Sequence, residues 1–234
     1  MFTKLSFILC NFINSILGYN LAVVGANSNL GREIVFQAIN DRNLDVLGLS
    51  SKTNILYQPS RVNSFNPDTK NQSEFKSPKL TLHNYWSYID QDYDHLVFCT
   101  SAKPFQKDYS DQLTKKLLQN LSPQCQSISL VSAFGVGDSL QQGNLGIQIM
   151  DSLYLKDVYR AKNQQELLIN NFIDQPVKKF IYRPKALSYG DTILNSTPRQ
   201  HLAKEILDNI EILGLKSSKK KNNYFNKSIK DKIQ

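Results

Sequence analysis

After Tyr19 the apolar residues of this chain recur in two alternating rhythms. Short runs of aliphatic and β-branched residues predict six strands: "NLAVVG" (20–25), "LDVLGLS" (44–50), "KLTLH" (79–83), "HLVFCTS" (95–101), "SISLVS" (127–132) and "KKFIYRP" (178–184). Several are apolar almost throughout, as strands covered on both faces should be. Between them, apolar residues spaced three or four apart predict helices over 29–41, 110–121, 153–173 and 199–213. In the third of these the apolar stripe is Leu153, Val158, Ala161, Leu167 and Leu168. Alternating strands and helices predict an α/β fold, a doubly wound parallel sheet of Rossmann-like type with helices on both faces. The stretch 51–78 is polar and carries Pro59, Pro67 and Pro78, so it reads as a weak helix or a mobile loop. No internal repeat stands out.

The two ends depart from this rhythm and divide the chain into 1–18, a domain over 19–214, and 215–234. In the first segment Leu5, Ile8, Leu9, Phe12, Ile13 and Ile16 keep helical spacing, while Asn11, Asn14 and Ser15 interrupt the apolar run. That pattern fits an amphipathic helix able to dock on a membrane surface or on the domain, with a secretory signal as the alternative. It is too short and too interrupted for a membrane span. The last segment is rich in Lys, Asn and Ser and has little to bury, which predicts disorder.

Charge changes the picture only through its position. Of the net +8, residues 215–234 hold +6, from seven lysines against Asp231. The remainder is close to neutral and has no basic groove interleaved with aromatics, so specific nucleic-acid binding is not expected. The tail and residues 1–17 together leave contact with an anionic membrane surface open, and a cytoplasmic or membrane-associated place is favoured over secretion. Three widely spaced cysteines (Cys10, Cys99, Cys125) argue against a disulfide framework. Three isolated histidines (His83, His95, His201) form no metal-ligand spacing, and no metal is expected.

The candidate chemistry begins where the first strand ends. Gly25 closes the strand, and Gly31 stands where the first helix must pack closely on the sheet. A helix amino terminus has unpaired N–H groups and a partial positive charge, and glycine lets a diphosphate approach bare backbone. The loop Gly25, Ala26, Asn27, Ser28, Asn29, Leu30, Gly31 thus reads as a phosphate cradle, though strand–Gly–helix turns also occur in α/β proteins that bind nothing there.

The stretch "VVGANSNLGREIVFQAI" resembles the opening of the short-chain dehydrogenase/reductase superfamily in its atypical, NmrA-like branch, which begins with a strand and G-x-x-G-x-x-G, often followed by Arg. Gly25, Gly31 and Arg32 match that pattern, while Ser28 replaces the middle glycine and implies weaker dinucleotide binding. "VFCTSA" (97–102) is similar to the family's fourth strand end beside the cofactor ribose, at Thr100 and Ser101. "LVSAFGVG" (130–137) is similar to its fifth, with Ser132 at the active-site Ser/Thr, and "DVYRAKNQQE" (157–166) brings Lys162 to the active-site lysine. "FIYRPKALSYGD" (180–191) resembles the sixth strand with its Arg-Pro, here Arg183 and Pro184, followed by a loop over the nicotinamide, and "STPRQHLAKEIL" (196–207) a later helix start. The resemblance spans roughly 19–213. It implies a bound NAD(P), with Pro184 and Lys162 among the contacts.

The second strand ends in Ser50, Ser51 and Lys52 with no carboxylate, which favours the 2′-phosphate of NADP over the free 2′-hydroxyl of NAD, with Arg32 in reach of the same group. A polar loop beginning at Ser50 is the plain alternative. Active members pair the lysine with a tyrosine four residues earlier. Here that position is Val158, and Tyr159 and Tyr154 are the nearby substitutes. Only twelve residues, 185–196, separate Pro184 from the next helix, so the region for a substrate is minimal. Two functions remain open: an NADPH-dependent oxidoreductase of a small carbonyl or quinone-like compound, using Lys162, Ser132 and Tyr159, or a dinucleotide-binding regulator or assembly factor without chemistry.

Overall fold

A computed structural model describes residues 19–51, 56–57, 73–74, 76–85, 91–100, 110–137, 156–172, 174, 176–185, 187–188 and 196–213. The terminal segments 1–18 and 215–234, with the expectations attached to them, lie outside these residues, as do Lys52, Ser101 and Tyr154.

Six strands form one parallel sheet: β1 (Tyr19–Val24), β2 (Val46–Ser50), β5 (Leu80–Asn84), β6 (Tyr93–Phe98), β7 (Ser127–Val131) and β8 (Lys178–Tyr182). Their spatial order is β5-β2-β1-β6-β7-β8. The chain winds outward from β1 in one direction through β2 and β5. It then returns to β1's other side and continues through β6, β7 and β8, which is the doubly wound order. All six predicted strands are present, each within three residues of its expected bounds.

Among the described residues four helices cover the sheet: α1 (Asn29–Asn40), α2 (Ser110–Gln119), α3 (Lys156–Asn170) and α4 over 199–213. Side-chain alternation along β1 assigns its residues to two cores. Leu21 and Val23 join Ile34, Val35 and Ala38 of α1 and Leu202, Ala203, Ile206 and Leu207 of α4 on one face. Ala22 and Val24 join Leu113 and Leu117 of α2 and Ile169 of α3 on the other. Both layers depend on β1 being apolar on both sides.

Most of 51–78 lies outside the described residues, and with it the expected weak helix or mobile loop; within it Leu56–Tyr57 (β3) pairs antiparallel with Ser73–Glu74 (β4). One expectation needs correction: the apolar stripe expected for the third helix is displaced. The residues α3 buries are Lys162, Gln165, Glu166 and Ile169, whereas Leu167 is 44% exposed. The buried set has ideal i, i+3, i+4, i+7 spacing, but three of its four members are polar, so a search for apolar periodicity passes over it. After β8 a small parallel pair, β9 (Leu187–Ser188) and β10 (Thr197–Pro198), leads into α4.

Candidate nucleotide-binding site

The sheet reverses its winding at β1, so the ends of β1 and β6 open a crevice in which α/β sheets hold ligands. Gly25 turns the chain out of β1 with φ +85°, a backbone region that side chains disfavour. A Cβ there would lie 2.8 Å from the carbonyl carbon of Cys99, just past β6. The Gly25 amide donates to the Leu49 carbonyl at 2.8 Å, tying the turn to β2 as well. A Cβ on Gly31 would lie 2.1 Å from the Gly25 carbonyl oxygen, so α1 starts directly against the turn.

Ser28 is the N-cap of α1. Its backbone is extended, and its Oγ accepts from the Gly31 amide at 3.0 Å. The serine at the expected middle-glycine position therefore takes up one N–H of the helix mouth. The Ser28 amide donates back to the Gly25 carbonyl at 2.8 Å. Among the first-turn amides, those of Asn29 and Leu30 face the end of the helix that carries partial positive charge, and the first turn contains no acid to offset it. Ala26 and Leu30 bury their side chains in the core, Asn27 is half-buried and Asn29 is exposed. The Arg32 Nε donates to the Asn27 carbonyl at 3.0 Å, which holds the guanidinium beside the loop.

At the end of β2, Ser50 is wholly buried and its carbonyl accepts from the Tyr85 amide at 3.2 Å; Ser51 is exposed. Of the two described serines expected at the ribose, Ser51 is therefore the accessible one. Thr100, past the end of β6, is half-buried. The neighbouring Cys99 thiol is pushed up to about 12 by burial, with Lys162 acting in the opposite direction, so it stays protonated at neutral pH.

On the far side of the crevice, Ser132 follows β7. Its amide donates to the Tyr182 carbonyl at 2.8 Å, while its buried Oγ has no hydrogen-bond partner. The Pro184 carbonyl accepts from the Phe134 amide at 3.0 Å, joining the segments after β7 and β8. Tyr159 lies with Lys156, Arg160 and Asn163 along a cleft of about 420 Å³ whose other wall is Gly135–Gly137. Lys162 is buried on the same helix. Its Nζ donates to the Val131 carbonyl at 2.9 Å, to Gln165 Oε1 at 3.2 Å and to the Thr100 carbonyl.

Sequence reasoning missed the polar layer beneath. Gln165 donates to Thr100 Oγ1 at 3.2 Å and to Thr114 Oγ1 at 2.9 Å. Glu166 receives a two-pronged ion pair from Arg183, at 3.0 and 2.6 Å. The helical spacing of residues 162, 165, 166 and 169 was the available signal. No group of His, Cys, Asp and Glu suited to a metal occurs among the described residues.

No protein-family model and no curated protein matches the chain. Solved structures do. ChuY, an anaerobillin reductase from Escherichia coli O157:H7, is similar at 12% identity and TM-score 0.52, over 81% of this chain and 89% of that one. A wide-type short-chain dehydrogenase/reductase from Veillonella parvula in complex with NADP is similar at 11% identity and TM-score 0.50, over 82% and 88%. The Bordetella bronchiseptica enzyme WbmH in complex with NAD+ is similar at 11% and 0.52, over 83% and 73%. The chain shares the Rossmann-like α/β fold of these structures. At these identities the likeness concerns the fold, and the site is argued from its own residues.

Proposed function

We propose that this protein binds a nicotinamide dinucleotide in the crevice at the ends of β1 and β6, as an NADP(H)-dependent oxidoreductase of a small carbonyl or quinone-like compound. The observation that carries the reading is the turn from Gly25 to Gly31, where neither glycine has room for a Cβ and the first turn of α1 carries no acid. The Asn29 and Leu30 amides would receive the diphosphate, with Arg32 beside them. Exposed Ser51 and half-buried Arg32, with Lys52 following Ser51 in sequence, favour a 2′-phosphate, hence NADP over NAD. The dinucleotides bound in the solved structures named above support this class of ligand.

When bound, such a cofactor supplies the hydride. The protein's part is to place and polarise the acceptor. The Ser132 hydroxyl, buried without a partner, would donate to a substrate carbonyl oxygen, and Tyr159 in the adjoining cleft would provide the proton. The short run between Pro184 and α4 suits a small substrate. A second reading, dinucleotide binding without chemistry, is favoured by Val158 at the usual tyrosine position.

Fluorescence titration with NADPH and NADH tests binding and cofactor preference, and failure to saturate with either would discard the proposal. A hydride-transfer screen over quinones and aldehydes then separates the two readings. Turnover lost in Ser132→Ala and Tyr159→Phe supports the oxidoreductase, and binding without turnover supports the other.

A further inference from the structure

The side chain that the resemblance assigns to the cofactor ribose is already engaged elsewhere. An ammonium has three N–H donors, and three acceptors stand around Lys162 Nζ: the carbonyls of Thr100 and Val131 and the side-chain oxygen of Gln165. Two of these belong to neighbouring segments, Val131 to β7 and Thr100 to the chain two residues past β6. The β6–β7 ladder ends with Phe98 opposite Leu130, and Lys162 joins the two chains just past that point. Gln165, itself wholly buried, fixes the arrangement by donating to Thr100 and to Thr114 of α2. Withdrawing the ammonium to reach a ribose would strip two backbone carbonyls and an amide oxygen of their donor in a largely buried site. Val158 points the same way, since the position four residues before the lysine carries no phenol for its charge to acidify.

We propose that Lys162 and Gln165 are positioning residues. Together they form a clamp that holds the ends of β6 and β7 in register beneath Thr100 and Ser132, and they take no part in a tyrosine–lysine proton relay. The inference rests in part on the proposed dinucleotide site, because it states what Lys162 does when that site fills.

The test is NMR of the lysine ammonium groups in the full chain. Lys162 is assigned by comparison with Lys162→Arg, and the ligand-free protein is compared with protein saturated with NADP+. A clamped ammonium gives a slowly exchanging signal without ligand, and that signal keeps its shift on saturation. Gln165→Met, which removes the side-chain acceptor and both donors, shifts that signal or speeds its exchange at least about tenfold, and Gln165→Glu, which keeps the acceptor, restores it in part. Movement of the Lys162 signal in step with NADP+ occupancy would overturn the proposal, as would a signal indifferent to Gln165→Met. If the wild-type chain saturates with no dinucleotide, the proposed function fails by itself. The ligand-free signal and its response to the two Gln165 variants then decide the clamp alone.

Discussion

At Gly25 the positive φ and the 2.8 Å approach to Cys99 act together, so a methyl group there meets both backbone strain and backbone atoms that cannot move aside. Gly31 has no unusual φ, but its Cβ would overlap the Gly25 carbonyl at 2.1 Å. Gly25→Ala and Gly31→Ala should each lower stability by about 2–4 kcal/mol in urea unfolding, through strain and displacement of α1. A loss of only a few tenths would mean that the turn is not packed as described. Ser28→Ala should cost about 1 kcal/mol, the usual loss for an N-cap. His95 adds a pH dependence. Burial lowers its pKa from 6.5, against a smaller opposing effect of Asp94, and the ring meets Ser127 Oγ at 2.8 Å. The folded state therefore prefers the neutral ring. The stability so gained is present above pH 6.5 and is lost as pH falls through the depressed folded value. Unfolding free energies measured across that window should fall toward acid in the wild type and fall less in His95→Gln.

Among the elements, α3 shows where reading the sequence succeeds and where it stops. The strands were legible because their signal is local: a strand apolar on both sides, such as 19–24, announces burial in its own composition. The glycines of the turn were legible for the same reason, since strand, glycine and helix start adjoin in the chain. The buried face of α3 was not, because what permits Lys162, Gln165 and Glu166 to be buried lies 17 to 65 residues away, in Arg183, Val131, Thr114 and Thr100. Ser28 shows another limit. A glycine pattern presents it only as a replaced glycine, whereas its extended backbone and the helix that follows make it a cap. The ion pair of α3 with the segment after β8 can be tested directly. Glu166 is almost fully buried while Arg183 keeps a quarter of its side chain exposed, so removing one partner should cost toward the lower end for buried pairs, about 2–4 kcal/mol in Glu166→Ala. The double variant with Arg183→Ala should recover part of that loss, giving a coupling above about 1 kcal/mol. A coupling near zero would reduce the pair to two independent contacts.

For the whole molecule, the direction of the helices decides how far the basic tail can influence the crevice. α1 runs from the Gly25 turn, at the carboxyl ends of the strands, to Asn40 toward their amino ends, a length of about 18 Å for its twelve residues. α4 lies beside it. Near its start the Gln200 carbonyl accepts from Gln37, and toward its end Asp208 and Glu211 pair with Arg42, just past the end of α1. Residue 213 thus lies away from the candidate site, and the seven lysines of 215–234 follow it in sequence. At about 0.1 M salt the Debye length is about 10 Å, shorter than that separation. Attraction for a dinucleotide then has to arise from the helix mouth and Arg32, and not from the charge of the whole chain. A chain ending at residue 214 should bind NADP+ with the affinity of the full chain to within about twofold at that ionic strength. Both should gain about 2.7 kcal/mol of stability at a ligand concentration a hundred times Kd. Adenosine 2′,5′-bisphosphate should stabilise each more than AMP does, through Ser51 and Arg32. If shortening the chain weakens binding tenfold, the tail folds back across the crevice, and the account of recognition by local amides alone has to be abandoned.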